Sequence, residues 1–143
     1  VNARYSTSSG QSISAAGTSI VNYDTKSFDS HNAVTTGAGW TFRAPISGKY
    51  RIRAAIRYAS ATFTSTLNQP SIYIYKNGSL IEVLDTDRVR VTGSQFVFLG
   101  GEDTIDMLAG DTFNIRTDHG EASARSLQAI VGTNYITIER VGN

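Results

Sequence analysis

The sequence predicts an all-β domain, and three observations lead to that prediction. Residues that favour strands (Val, Ile, Thr, Tyr, Phe and Trp) occupy 52 of 143 positions, and Val plus Ile outnumber Leu by 22 to 6. Charged residues make up only 17% of the chain, whereas Ser and Thr occupy 32 positions. A surface built from hydroxyl groups suits pleated strands better than helices. Apolar and polar residues also alternate along several short segments, as they do in half-buried strands.

The longest alternation runs over residues 49–58. Its even-numbered positions are apolar or aromatic, and its odd-numbered positions include Lys49, Arg51, Arg53 and Arg57. A period of two over ten residues predicts a strand with one buried face and one basic face. Further strands are predicted, in chain order, at Ile20–Asp24, Trp40–Arg43, Ser71–Tyr75, Leu80–Leu84, Val89–Thr92, Gln95–Leu99, Thr104–Leu108, Thr112–Thr117 and Asn134–Val141.

Turn signals separate these strands. Asn77-Gly78 lies between two strand patterns and predicts a tight hairpin, because both residues adopt positive φ readily. Gly100-Gly101 predicts a second turn, and Gly110-Asp111 a third in which the Asp side chain caps the backbone. Eight to ten strands spaced in this way indicate a sandwich, a jelly roll or a barrel.

Two stretches lack a strand pattern. Residues 121–130 contain helix formers without an apolar stripe, which leaves a short helix and a long surface loop as alternatives. Residues 6–19 are small and polar. We therefore expect residues 1–19 to form an extended lead-in and residues 20–143 to form a single domain, for which the length is sufficient.

Composition also argues against several classes of function. The chain has 13 basic and 12 acidic residues, which is unlike the basic excess of nucleic-acid-binding proteins. No apolar run approaches the ~20 residues of a membrane span, so no membrane insertion is expected. The absence of cysteine excludes disulfides and thiol catalysis. No Gly-x-Ser-x-Gly elbow, phosphate loop or dinucleotide fingerprint is present, and we predict neither an enzyme nor a cofactor.

Metal-ligating residues are sparse. His31 and His119 are the only histidines, and His119 lies in the sequence Asp118-His119-Gly120-Glu121. This segment offers two metal ligands and a doubtful third, which is too few for a typical site. We therefore interpret it as a solvated turn and not as a metal site. Carboxylates at Asp85, Asp87, Glu102 and Asp103 leave a calcium site open, although calcium needs six to eight oxygen ligands. We predict no metal site.

Residues 40–52 carry a family resemblance. The pattern is an aromatic residue, then five residues of any type, then Gly-x-Tyr, and Phe42, Gly48 and Tyr50 stand at this spacing. It resembles the motif of tumour-necrosis-factor-like jelly rolls, which include the globular heads of complement subcomponent q. Residues 73–78 resemble the family's strand into its Asn-Gly turn, residues 108–113 its Gly-Asp element, and residues 134–141 its closing strand. The occurrence of Tyr23-Asp24 and Phe28-Asp29 before the Trp40 strand makes the sequence similar to domains at the tips of bacteriophage tail fibres and needles.

The resemblance implies a jelly-roll β-sandwich of about 8–10 strands that assembles as a compact homotrimer, with the sheet that holds the Gly-x-Tyr strand lining the axis. It also implies a non-enzymatic knob at the distal end of a phage tail fibre, spike or needle. Such a knob belongs to the extracellular part of the virion and acts in host-cell attachment or entry. The expected partners are two further copies, the upstream fibre segment, and a host-surface glycan or protein.

Aromatic residues on both faces of a strand support association between copies. Strand Gln95–Leu99 places Phe96 and Phe98 opposite Val97 and Leu99, and a strand that is apolar on both faces is covered on both. The Arg side chains of residues 49–58 either cover a solvent-exposed sheet or lie near a symmetry axis or a partner, paired with carboxylates or a bound anion. Candidate interface or axis residues are Arg51, Arg53, Arg57, Tyr58, Phe96, Phe98 and Tyr135. In the hydroxyl-rich loops 59–69 and 117–132, candidate ligand contacts are Phe63, Asn68, Asp118, His119 and Arg125.

Two other functions are compatible with the same fold. One is a monomeric carbohydrate- or small-ligand-binding module attached to an enzyme, and the other is a purely structural fibre cap or capsid decoration protein. Trimerisation separates the first of these from the knob. Ligand binding by the isolated trimer separates attachment from capping.

Overall fold

All regular structure in the described part of the chain is β-strand, which confirms the all-β prediction. The computed structural model describes residues 1–7, 9–64, 69–88 and 93–143, so the predicted strand Val89–Thr92 lies outside it. No helical segment among these residues has the length and apolar character of a membrane span. The strands are β1 (Asn2–Ser6), β2 (Ser12–Ile13), β3 (Ser19–Ile20), β4 (Thr25–Asp29), β5 (Val34–Thr35), β6 (Thr41–Arg43), β7 (Gly48–Thr62), β8 (Ser71–Lys76), β9 (Ser79–Thr86), β10 (Ser94–Met107), β11 (Thr112–Asp118), β12 (Arg125–Ser126) and β13 (Tyr135–Gly142).

The strands form a sandwich of two antiparallel sheets. The first sheet has five strands in the order β10-β7-β13-β1-β4, and the second has the order β5-β6-β11-β8-β9 with β3 beside β11. A short separate pairing joins β12 to β2. Buried side chains from both main sheets form one hydrophobic core. Apart from the pairs β5–β6 and β8–β9, neighbouring strands therefore come from distant parts of the chain, as in a jelly roll.

β7 is the long central strand, and its alternation agrees with the prediction. Tyr50, Ile52 and Ile56 are fully buried, whereas Arg51 and Arg53 are exposed on the opposite face. β7 pairs with β10 on one side and with β13 on the other. Its outward side chains therefore lie on the outer face of the five-stranded sheet, between those of β10 and β13.

The Phe42–Gly48–Tyr50 spacing shapes the core where β7 begins. The rings of Phe42 and Tyr50 meet edge to face with centroids 5.6 Å apart, and the Tyr50 hydroxyl donates to the carbonyl oxygen of Ile46 at 2.6 Å. Gly48 has φ of 149°, and a Cβ there would overlap the carbonyl oxygen of Gly142. The motif is thus accounted for by packing and by the close approach of β7 and β13.

The first nineteen residues take part in the sandwich, which differs from the lead-in that we expected. β1 lies between β13 and β4, and its Ala3 and Tyr5 are buried. The Tyr5 ring packs edge to face against Trp40, with centroids 6.3 Å apart. Ile13 is also fully buried. The small, polar composition of this region obscured its role, because a strand with one buried face needs apolar residues only at alternate positions.

The turn predicted at Gly100-Gly101 is wrong. β10 runs without interruption through both glycines and pairs with β7 along its length. A Cβ on Gly100 would lie 3.1 Å from Cβ of Ala55, and one on Gly101 would lie 2.6 Å from the carbonyl oxygen of Leu84. Neighbouring backbone approaches β10 too closely here for a side chain. The glycines therefore mark a close approach within a strand.

Two other segments differ from the simplest expectation. Of the predicted strand Ile20–Asp24, only the beginning is paired, because the contact of β3 with β11 ends at Ile20. Residues 121–130 form a loop and not a helix, which resolves that alternative. The loop contains β12, and Leu127 is buried, so part of it belongs to the core.

Asn77-Gly78 forms the predicted hairpin turn between β8 and β9, with φ of 49° and 83°. The Asn77 side chain also reaches the Asp111 turn, where its Nδ2 donates to Oδ1 of Asp111 at 2.9 Å. Oδ2 of Asp111 accepts from the Leu108 N–H at 2.9 Å and pairs with Nζ of Lys76 at 2.9 Å. Asp111 caps its turn as predicted and in addition joins two turns.

These contacts predict an acid-dependent loss of stability. The hydrogen bonds from Asn77 and Leu108, together with Lys76, lower the pKa of Asp111 from 3.8 to about 2. Because the folded state has the lower pKa, the stabilisation is complete above pH ~4 and decreases as the pH falls towards ~2. We expect Asp111→Asn to reduce the change in unfolding free energy between pH 4 and pH 2, measured by urea denaturation. Equal pH dependence in the two proteins would contradict this assignment.

Candidate functional site

The two ends of the sandwich are not equivalent. β1 begins and β13 ends at one end, where the carbonyl oxygen of Val1 accepts from the Arg140 N–H at 2.9 Å. β7 and β9 end, and β8 begins, at the opposite end, which we call the far end. The described parts of the two hydroxyl-rich loops lie at the far end, since they follow β7 and β11. The described candidate contact residues, Phe63, Asp118, His119 and Arg125, are therefore at the end away from both termini.

The outer face of the five-stranded sheet carries an arginine between two exposed aromatic rings. Cζ of Arg57 lies 3.9 Å from the ring centroid of Phe96 and 4.4 Å from that of Phe98. Phe96 remains 46% exposed and Phe98 57% exposed. Nε of Arg57 is buried without a hydrogen-bond partner among the described residues. We call Arg57, Phe96 and Phe98 the aromatic–arginine cluster.

A second group on the same face is more polar. Cζ of Arg4 and Cζ of Arg53 lie 5.2 and 5.9 Å from the ring centroid of Tyr135, and Arg51 forms an ion pair with Glu139. The structure thus brings together six of the seven predicted interface residues. Arg51 has a carboxylate partner within its own chain, and Arg57 packs on aromatic rings, whereas contact with a partner's carboxylates stays a prediction.

Tyr58 is the exception among the predicted interface residues. It is fully buried, because it follows the outward-facing Arg57 in an alternating strand. Its hydroxyl bonds Oγ1 of Thr117 at 2.8 Å and the carbonyl oxygen of Asp118 at 3.1 Å. Burial raises the pKa of Tyr58. The assignment of Tyr58 to an axis or interface is therefore wrong, and this residue instead connects the two sheets.

Two of the predicted ligand contacts are also buried. Phe63 and His119 are 0% and 1% exposed, and both rings pack edge to face against Tyr58. Nδ1 of His119 accepts from the Glu121 N–H at 3.1 Å, so its Nε2 donates to the carbonyl oxygen of Ile13 at 3.2 Å. Neither Phe63 nor His119 is presented to a ligand, in contrast to the prediction.

Arg125 closes the far-end loops over Phe63. Its Nη2 donates to the carbonyl oxygen of Thr62 at 2.9 Å and to Oε2 of Glu121 at 3.2 Å. Glu121 is itself buried and accepts from the backbone N–H and the hydroxyl of Thr64, both at 2.9 Å. Arg125 and Glu121 thus hold the two loops together. The remaining loop candidate, Asn68, lies outside the described residues.

Asp118 lines a polar cavity of about 380 Å³ at the far end, on the outer face of the six-stranded sheet. The Tyr73 hydroxyl donates to its Oδ2 at 3.1 Å, and partial burial raises the pKa of the carboxyl group. The hydroxyls of Ser71 and Thr86 lie 2.9 Å apart on the same wall. We call this cavity, lined also by Ala15, Gly17, Gln69 and Gly120, the Asp118 pocket.

Sequence reasoning identified Asp118 but missed the rest of the Asp118 pocket. Ser71 is paired with Asp118 between β8 and β11, and Ser71 is paired with Thr86 between β8 and β9. The alternation of β8 indicates that Tyr73 points away from the core. No local signal indicates which strands lie beside β8, so the cluster could not be assembled from the sequence.

The carboxylates do not assemble into a metal centre within the described ranges. No group of three or more His, Asp or Glu side chains there could hold a metal ion. His31 is exposed, and its Nδ1 bonds Oγ of Ser30 at 2.8 Å. Asp85 accepts from the Gly100 N–H at 3.0 Å, which ties β9 to β10.

Comparison with known proteins gives the fold. No protein-family model matches the chain, and no curated protein matches it by sequence. The structure is similar to the Eiger tumour necrosis factor of S. frugiperda, with a TM-score of 0.71, 11% identity, and coverage of 100% of this chain and 93% of that one. It is also similar to the globular domain of the zebrafish complement 1qA protein, with a TM-score of 0.70 and 13% identity. This match covers 99% of this chain and 98% of that one. The similarity to murine APRIL has a TM-score of 0.66 and 8% identity, and it covers 98% of each chain. The chain therefore has a jelly-roll fold of the tumour necrosis factor and complement 1q type.

Proposed function

We propose that this chain is a non-enzymatic attachment module that works as a homotrimer, at the distal tip of a phage tail fibre, spike or needle. The outer face of the five-stranded sheet lines the three-fold axis, and the far end contacts the host surface. The observation that carries the proposal is the aromatic–arginine cluster, because two half-exposed Phe side chains flank an Arg with an unbonded Nε. A second and third copy would cover these rings.

The energetics favour covering this face. Burying a Phe side chain contributes about 1.5–3 kcal/mol relative to leaving it exposed, and a closed symmetric assembly repeats the gain in every subunit. The neighbouring Arg4, Arg53 and Tyr135 supply stacked groups that tolerate partial removal from water. The proposal thus assigns the outer face of the five-stranded sheet to self-association and leaves the outer face of the other sheet accessible.

The position of the termini supports a knob. Both termini lie at the end opposite the far-end loops, so an upstream fibre segment joined there would leave those loops free to contact a glycan or protein. Three identical contact sites raise the effective affinity for a multivalent surface by ~10²–10⁴-fold. A non-catalytic role is supported by His119, whose two ring nitrogens bond main-chain groups of the fold and are not presented to a substrate.

The first test is the solution mass of this chain, measured by light scattering at micromolar concentration. We expect a mass near three times 15.4 kDa. The trimer should then bind one or more immobilised bacterial surface polysaccharides or host cells more tightly than a monomeric variant does. A monomeric wild-type chain would contradict the trimer. A trimer that binds no cell or polysaccharide would indicate a structural cap or decoration protein.

The Asp118 pocket favours one alternative, a monomeric carbohydrate- or small-ligand-binding module. That function predicts ligand binding without self-association, and it does not explain why the rings of the aromatic–arginine cluster are exposed. A monomeric mass combined with saturable binding of a sugar would move this alternative to first place.

A further inference from the structure

We propose that the Asp118 pocket binds a neutral, polyhydroxylated ligand, such as one hexose unit of a surface polysaccharide. This inference rests on the proposed attachment function and names the class of ligand that the far end recognises. The pocket forms where β8 begins and where β9 and β11 end, with the turn around Gly17 closing one side. Its volume of about 380 Å³ is within the usual range for small-molecule sites.

The carboxylate of Asp118 provides the main acceptor. It is partly withdrawn from water, yet among the described residues only the Tyr73 hydroxyl donates to it. A carboxylate in such a position is stabilised by two or three hydrogen bonds, so it has capacity for further donors. Adjacent hydroxyls of a sugar ring supply two donors, one for each carboxylate oxygen. Because the ligand would complete this set, the acceptor is suited to a polyol.

The other walls offer short hydroxyl groups. The Ser71 hydroxyl donates to the carbonyl oxygen of Gln69 at 3.1 Å, and Oγ of Ser71 lies 2.9 Å from Oγ1 of Thr86. Because the Ser71 hydroxyl donates to Gln69, the Thr86 hydroxyl donates to Oγ of Ser71, and its remaining lone pair can accept from a ligand. Thr86 therefore adds a second acceptor for the hydroxyl donors of a sugar.

The charge and polarity of the pocket argue against anionic and purely apolar ligands. None of its described lining residues is Lys or Arg, and the one charged side chain is Asp118. An anionic ligand such as a phosphate or an acidic sugar would be repelled by the carboxylate. The lining contains one aromatic residue, Tyr73, and no large aliphatic side chain, so a purely apolar ligand would leave the carboxylate unpaired. A neutral sugar is not repelled by the carboxylate, and its hydroxyl groups can pair with it.

The location of the pocket agrees with the proposed trimer. Asp118 and Tyr73 lie on the outer face of the six-stranded sheet, whereas the aromatic–arginine cluster lies on the other sheet. Three pockets would therefore remain accessible in the assembly. A single-sugar site with a dissociation constant on the order of 1 mM would then act through avidity.

The test is a chemical-shift titration of deuterated, ¹⁵N-labelled protein with the methyl glycosides of glucose, galactose, mannose and N-acetylglucosamine. We expect at least one glycoside to shift the amide signals of Ser71, Thr86 and Gly120 in a saturable manner. Asp118→Asn should weaken binding by about tenfold or more, since it removes an ionised acceptor. Glu82→Gln, an exposed carboxylate on β9 outside the pocket, is the matched control and should bind as the wild type does.

Tyr73→Phe keeps the proposal testable if Asp118→Asn does not fold. It removes only the hydroxyl that orients Oδ2 of Asp118, and we expect a weakening of several-fold. Absence of saturable shifts at the pocket with all four glycosides overturns the inference, as do shifts that persist unchanged in Asp118→Asn. Binding of glucosamine or lysine methyl ester alone also overturns it, since it would show an ammonium site. Sugar binding by a monomer supports the proposed pocket and contradicts the proposed trimer. A trimer that binds none of the sugars supports the trimer and contradicts the pocket.

Discussion

Replacing Phe98 by arginine is expected to convert the proposed trimer into folded monomers. The Phe98 ring is 57% exposed in the single chain and lies 4.4 Å from Cζ of Arg57. In Phe98→Arg a second guanidinium would stand beside Arg57 on a face that the proposed assembly removes from water. The loss of apolar burial alone costs about 2 kcal/mol for each subunit. Since 1.4 kcal/mol is a factor of ten, three subunits shift the monomer–trimer constant by roughly 10⁴-fold.

Light scattering over a range of micromolar concentrations would measure this shift. Val131→Arg is the matched control, because Val131 is an 81% exposed apolar residue in the loop before β13 at the far end. We expect the control to remain trimeric. The circular dichroism of Phe98→Arg should stay that of a β protein, since Phe98 does not contribute to the core of the single chain. A trimeric Phe98→Arg, or a monomeric Val131→Arg, would contradict the assignment of the aromatic–arginine cluster to the interface.

The parts of the fold that the sequence predicted correctly are those set by local pattern. β7 could be read with its correct faces because ten residues alternate strictly and one face is entirely apolar or aromatic. The Asn77-Gly78 turn could be read because positive φ at two successive positions favours these residue types. In both cases the determining interactions lie within a short stretch of chain.

The errors arise where pairing with distant strands overrides a local signal. Gly100-Gly101 has the composition of a turn, but β7 and the Leu84 backbone hold both residues in a strand. Residues 6–19 resemble a linker, yet Ile13 is enclosed in the core. These contacts join segments that are tens of residues apart. Periodicity and turn propensity carry no information about them.

The candidate site follows the same rule. Six of the seven predicted interface residues lie on one outer face, where alternation places them, and Tyr58 was misplaced although the same alternation directs it inward. Phe63 and His119 come from loops, where no periodicity reports which side chains are buried. The Asp118 pocket depends on the pairing of β8 with both β9 and β11, so its hydroxyl groups could be identified only from the three-dimensional arrangement.

A single methyl group at Gly48, the first residue of β7, is expected to destabilise the fold more than one at Gly78, the glycine of the hairpin turn. A Cβ there would overlap the carbonyl oxygen of Gly142 and lie 2.6 Å from Nε of Arg140. That Nε already donates to the carbonyl oxygen of Ser47 at 2.9 Å, so the Arg140 side chain cannot move away without losing this bond. The φ of 149° adds backbone strain for any residue with a side chain.

These two costs can be separated by comparing Gly48→Ala with Gly78→Ala. Gly78 has φ of 83° but nothing within 4 Å of its Cβ position, so the control carries only the conformational strain, about 1 kcal/mol. Gly48→Ala also forces β7 away from β13, and overpacking of this kind adds about 1–3 kcal/mol. We therefore expect Gly48→Ala to lower the unfolding free energy by about 2–4 kcal/mol, measured by urea denaturation. Equal losses in the two variants would show that the close approach of the two strands does not constrain Gly48, and φ alone would then explain the Gly-x-Tyr spacing.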